Sequence, residues 1–99
     1  MVNSIYLLMR DNRDYGFKDQ IQRAAVSIMN NIAEGSESGS DAKFTNFLNI
    51  ASGSCCEVKS MLYLCEDLGY CSVEMRVELQ SKVKQISRGI AKMIESLNK

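Results

Sequence analysis

Between Phe44 and Cys65 seven apolar residues follow one another at steps of four, three, four, three, four and three: Phe44, Leu48, Ala51, Cys55, Val58, Leu62 and Cys65. An α-helix places such positions on one side, because residues three and four apart stack above one another. A strand would scatter them over both faces of a sheet. The stripe runs for about six turns at 3.6 residues per turn, so it needs apolar partners along its whole length. Phe47, Met61 and Leu68 widen it. Gly53 sits mid-helix off this stripe, either to admit a close neighbour or tolerated at about 1 kcal/mol against Ala.

The partners are in the same chain. Leu79, Val83, Ile86, Ile90, Met93 and Leu97 repeat the spacing, with Lys84, Arg88 and Lys92 opposite. Upstream, from about Phe17 to Glu34, Phe17, Ile21, Ala24, Ala25, Ile28 and Ile32 form another stripe. Beside it runs a polar row of Gln20, Arg23, Ser27, Asn31 and Glu34, and Val26, Met29 and Ala33 make a second apolar patch on the far side. A helix apolar on two faces touches more than one neighbour, and in so short a chain the second neighbour is expected in another subunit. The first segment, "VNSIYLLMRD", offers about three turns.

The joints carry turn chemistry. "DNRDYG" supplies Asn12, Asp14 and Gly16 as turn formers. Gly35 is expected to close the second helix in the left-handed conformation, "SESGS" to form a polar loop, and Ser40 or Asp41 to cap the third helix. Gly69 ends the third helix, and Ser72 caps the fourth with Glu74 in its first turn. The absence of Pro and Trp and the prevalence of good helix formers point the same way. Residues 1–99 are therefore expected to form one domain, an all-α, up-down-up-down antiparallel four-helix bundle with a left-handed twist and a short first helix.

Functional chemistry is sparser. Twelve basic and twelve acidic side chains cancel, which argues against a strong non-specific polyanion binder. The charge is uneven, however: residues 34–71 hold six acids and two bases, and residues 72–99 hold six bases and three acids. Arg76, Lys82, Lys84, Arg88 and Lys92 form a candidate basic ridge for weak, salt-sensitive nucleic-acid binding, strengthened if repeated around an oligomer. Arg23 is expected to pair with Glu57 across two helices.

Catalysis finds no support. There is no His, the commonest general base near neutral pH. The carboxylates are scattered, and no glycine pattern cradles a phosphate. Cys55, Cys56, Cys65 and Cys71 include no C-x-x-C pair, and adjacent thiols on one helix diverge by about 100°, so a zinc site fits poorly. They read as reduced side chains of a cytoplasmic protein, with no signal peptide and no transmembrane run. No enzyme activity, cofactor, metal or small-molecule substrate is expected.

"DQIQRAAVSIMNNIAEG" at 19–35 and "FTNFLNIASGSCCEVKSMLYLCEDLGY" at 44–70 resemble the bacterial four-helix bundle proteins encoded within intervening sequences of 23S rRNA genes, a fold shared with accessory proteins of diversity-generating retroelements. The resemblance is carried by Gln20, Arg23-Ala24-Ala25, Ser27-Ile28, the block Asn31-Ile32-Ala33-Glu34-Gly35, Phe44, Phe47-Leu48, Ala51, Gly53-Ser54, Glu57 and Gly69-Tyr70. It implies a ring-forming bundle, commonly a homopentamer. The retroelement relatives bind nucleic acid and a reverse transcriptase partner through a basic surface. This chain departs from the pattern in its short first helix, in Met29 where a Pro is frequent, and in its zero net charge. The "NIAEG" block is expected to be a structural corner, with Glu34 finding a donor on another helix, the following loop or an adjacent subunit.

Overall fold

The computed structural model describes residues 1–99. Four α-helices and no strand make up the chain: α1 (Val2–Met9), α2 (Tyr15–Ser36), α3 (Asp41–Asp67) and α4 (Val73–Leu97). The molecule measures 44 × 22 × 17 Å. The long axis matches α3, whose 27 residues span about 40 Å at 1.5 Å per residue, so the helices lie along it.

Cross-contacts set their directions. Phe17 at the start of α2 meets Tyr70 just beyond α3, ring centres 5.4 Å apart and edge-on. Ser27 Oγ and Ser54 Oγ lie 2.9 Å apart halfway along, and Gly35 near the end of α2 lies against Phe44 and Phe47 near the start of α3. These pairs run in opposite senses along the two helices, so α2 and α3 are antiparallel. Arg76 reaches back to Glu66, and Gln80 donates to the Lys59 carbonyl at 3.0 Å, so α3 and α4 are antiparallel too. Met1, Val2 and Asn3 lie near Met29 and Ile86, while Leu7 and Leu8 lie near Met75 and Leu79. The first helix is thus antiparallel to α4 where the two meet, and it packs chiefly on α2.

Side-chain caps open three helices, at Ser40 and Ser72 as expected and at Asp14, which the sequence marked only as a turn former. Asp14 accepts from the Phe17 amide, Ser40 from the Lys43 amide and Ser72 from the Met75 amide. Gly69 has φ 76° and ends α3 as expected, with the Tyr70 amide reaching the Cys65 carbonyl at 2.8 Å in the Schellman pattern.

The end of α2 differs from expectation. Gly35 is helical and buried, and the helix continues to Ser36. The left-handed residue of the joint is Gly39, φ 87°. Serines occupy the exposed carbonyls: Ser36 Oγ donates to Ala33 O and Ser38 Oγ to Gly35 O. Gly35 is glycine for another reason. A β-carbon there would stand 2.8 Å from Phe44 Cδ1 and 2.9 Å from Phe47 Cβ, so the helices cross too closely for a side chain. Gly53 is the opposite case, because a β-carbon there meets nothing within 4 Å; packing within the chain tolerates it rather than requires it. Gly16 belongs to the first turn of α2 and not to the preceding turn.

Most of the core comes from the stripes. Leu48, Ala51, Cys55, Val58, Leu62, Cys65, Leu79, Val83, Ile90, Phe17, Ile21, Ala24, Ala25 and Ile28 are all buried, joined by Ile5 and Met9 from α1. Phe44 and Ile86 are half-buried rather than buried, and Leu68 is exposed because it caps α3 beyond its last turn. The reason for Ile86 is the length of α1. Eight residues cover about 12 Å, against about 37 Å for the 25 residues of α4. Ile32, Ile86, Met93, Ile94 and Leu97 therefore pack on the core with part of their surface uncovered.

Candidate nucleic-acid interface

The outer face of α4 presents Lys84, Arg88 and Lys92, all exposed and each about 6 Å along the axis from the next. None forms an ion pair, since the salt bridges of the chain are Arg10–Asp11, Arg23–Asp19, Arg76–Glu66 and Lys82–Glu78. The other two residues expected in the ridge are elsewhere. Lys82 turns toward α1, lies 3.8 Å from Glu78, and lines a hollow with Ser4, Leu7 and Leu8. Arg76 is drawn into the α3–α4 seam. Its Nε donates to Glu66, its Nη1 donates to Gln80 Oε1 at 2.8 Å, and its guanidinium lies 4.7 Å from the Tyr63 ring centre.

Arg76 thereby helps to shape a groove of about 680 Å³ between α3 and α4. Cys56, Lys59, Ser60 and Tyr63 line one bank; Arg76, Val77, Gln80, Ser81 and Lys84 line the other. Lys59 and Lys84 are free of carboxylate partners, and Tyr63 is 57% exposed. Composition and ridge spacing did not point to Lys59 or Tyr63. The signal was present in the sequence: positions 56, 59, 60 and 63 on one helix, and 76, 77, 80, 81 and 84 on the next, repeat at helical spacing on the flanks of the two core stripes.

The polar row of α2 forms a second, shallower depression. Arg23, Ser27, Asn31 and Glu34 line it with Tyr6, Val26 and Asn30. Asn31 Nδ2 donates to the Ser27 carbonyl at 2.8 Å and to Ser27 Oγ at 3.0 Å, and Ser27 in turn meets Ser54 on α3. This chain ties the last turns of α2 to the middle of α3. Gln20, Gly53 and Glu57 are exposed outside the depression. Arg23 does not reach Glu57; it pairs with Asp19 one turn earlier at 2.9 Å, because a partner on the same helix face requires no crossing. Glu34 has no ion pair within the chain.

The four thiols are unpaired. Burial pushes the Cys55 thiol up, and burial beside Cys71 pushes Cys65 up to about 12, so both are protonated and unreactive near neutral pH. No group of three or more His, Cys, Asp or Glu side chains is placed to hold a metal ion. No helix is long and apolar enough to cross a membrane.

Residues 1–92 match the model of the 23S rRNA-intervening sequence protein family. The chain belongs to that family. Among solved structures, the chain is similar to a protein with unknown function from the S23 ribosomal protein family of Bacteroides thetaiotaomicron. The two are 28% identical with a TM-score of 0.85, over 94% of this chain and 86% of the other. No curated protein matches. The neighbour thus agrees with this fold and is itself of unknown function.

Proposed function

We propose that this protein is a non-enzymatic, homo-oligomeric scaffold of the cytoplasm that binds RNA weakly through the outer face of α4. The observation that carries the reading is the row Lys84, Arg88 and Lys92, exposed and without a single ion pair, in a chain of zero net charge. Cations left unpaired along one helix face form a positive stripe that attracts phosphates. Three contacts per chain give weak binding, and repetition around an oligomer raises it. A structured rRNA fragment or an RNA-bound protein such as a reverse transcriptase is the class of partner that fits.

Self-association is supported by the surface. Eleven large apolar side chains are exposed, among them Leu7, Met29, Ile50, Leu64 and Val77, and a second copy of the chain would cover part of that surface. Glu34, without an ion pair in its own chain, is suited to a donor on an adjacent subunit. The family resemblance makes a pentamer the expected state. The test is sedimentation equilibrium combined with anisotropy of a labelled rRNA fragment at several salt concentrations. A pentamer with salt-sensitive binding supports the scaffold. Association without any RNA binding at low ionic strength favours the second reading, a self-associating adaptor with no nucleic-acid role, which the zero net charge supports.

A further inference from the structure

We infer that the groove between α3 and α4 receives an unpaired nucleotide, so that the protein prefers single-stranded RNA to duplex. The inference rests on the RNA-binding reading and specifies its site. The ridge alone can contact phosphates but cannot distinguish a strand from a duplex, since both present phosphates at a surface. The groove adds what a duplex cannot use. Tyr63 stands on its bank with more than half its surface free, and aromatic rings stack on unpaired bases whose faces are open.

The ring is prepared for this. Arg76 lies over it at 4.7 Å and is itself fixed by Glu66 and Gln80. Gln80 is fixed in turn by its bond to the Lys59 carbonyl. A ring held from one side loses little freedom when a base covers the rest of it. Lys59 and Lys84 follow the ring along the groove toward Cys56 as unpaired cations, placed for the phosphates of the strand on that side of a stacked nucleotide. Lys84 also begins the Lys84–Arg88–Lys92 ridge, so a strand leaving the groove continues along α4 without a break in positive charge.

Cys56 gives the groove an internal reporter, because it is exposed on the same bank, whereas Cys71 lies outside the groove. The experiment uses the full chain with a labelled mixed-sequence 12-nucleotide RNA and its blunt duplex, by anisotropy at low ionic strength. Tyr63→Ala should weaken single-strand binding about tenfold, within the range of stacking losses on alanine substitution, and leave duplex binding unchanged. Tyr63→Phe should bind as wild type, and Tyr63→Leu should behave as the alanine variant. On the wild type, the single strand should slow iodoacetamide labelling of Cys56 but not of Cys71. If Tyr63→Ala and Tyr63→Leu bind the strand as wild type does, or Cys56 labels at the same rate with and without it, the groove inference is overturned. If Lys84→Gln and Arg88→Gln then still weaken both RNAs, the ridge reading survives. If neither RNA binds at low ionic strength, both fail.

Discussion

The ring of Phe44 occupies the place where Gly35 would carry a side chain: a β-carbon on Gly35 would lie 2.8 Å from Phe44 Cδ1. The glycine therefore acts through the packing of α2 on α3 and not through a turn. Gly35→Ala should destabilise the fold by about 1–3 kcal/mol, the usual cost of overpacking. Gly53→Ala, with nothing within 4 Å of its added carbon, should stabilise the fold by about 0.5–1 kcal/mol through helix propensity. Urea denaturation of both variants checks the contrast. A loss of stability at Gly53 would mean that another helix approaches there in the assembly.

The contrast also shows what the sequence could and could not convey. The core was legible because burial imposes a 3.6-residue period on each helix separately, and Leu48, Leu62, Val83 and Ile90 are buried as that period requires. The roles of Gly35 and Arg76 depend on what another helix places opposite them. A glycine before a Ser-rich loop fits a helix end as well as a close crossing, and only the positions of Phe44 and Phe47 decide between them. Arg76 looked like part of a ridge until Glu66, ten residues earlier and across the α3–α4 turn, drew it inward. Helical spacing assigns each charge a face but not a partner. The groove was therefore visible only in outline, as two flanking rows.

Leu62 is fully buried at the centre of the core. Leu62→Ala should cost about 2–5 kcal/mol, combining lost apolar transfer with a cavity. Equilibrium urea unfolding gives the value; a cost under about 0.5 kcal/mol would show that the site collapses freely, which a close-packed core does not allow.

Tyr70 donates to Asp14 Oδ2 at 2.6 Å, joining the α3–α4 loop to the cap of α2. This bond, followed by the Phe17 amide, lowers the Asp14 carboxyl below its ordinary 3.8, so the carboxylate stabilises the fold above that pH and loses its contribution as pH falls through the lowered value. The same bond raises the Tyr70 phenol above 10.0. Its contribution is complete below pH 10.0 and is lost as pH rises through the raised value. Tyr70→Phe should accordingly melt below wild type at pH 7, with the difference shrinking below pH 4 and above pH 10. A melting-temperature difference that stays constant across that range would contradict the role given to this bond.

Thiol reactivity should divide by burial. Cys56 is exposed and Cys71 partly so, while Cys55 and Cys65 are buried with raised pKa values. Iodoacetamide at pH 7.5 should modify Cys56 first, then Cys71, and leave the other two protected until denaturant is added. Peptide mass spectrometry with time gives the order, and early modification of Cys55 or Cys65 would contradict the packing of α3.

The most direct test of the RNA-binding scaffold is the salt dependence of wild-type binding to a structured rRNA fragment, set against Lys84→Gln/Arg88→Gln/Lys92→Gln. The account predicts that log affinity falls linearly with log salt, with a slope of at least about −2 for three phosphate contacts. It also predicts that the triple variant, unchanged in fold by circular dichroism, loses nearly all of that slope together with the binding. A wild type that shows no binding at low ionic strength, or a triple variant that keeps both affinity and slope, would contradict it.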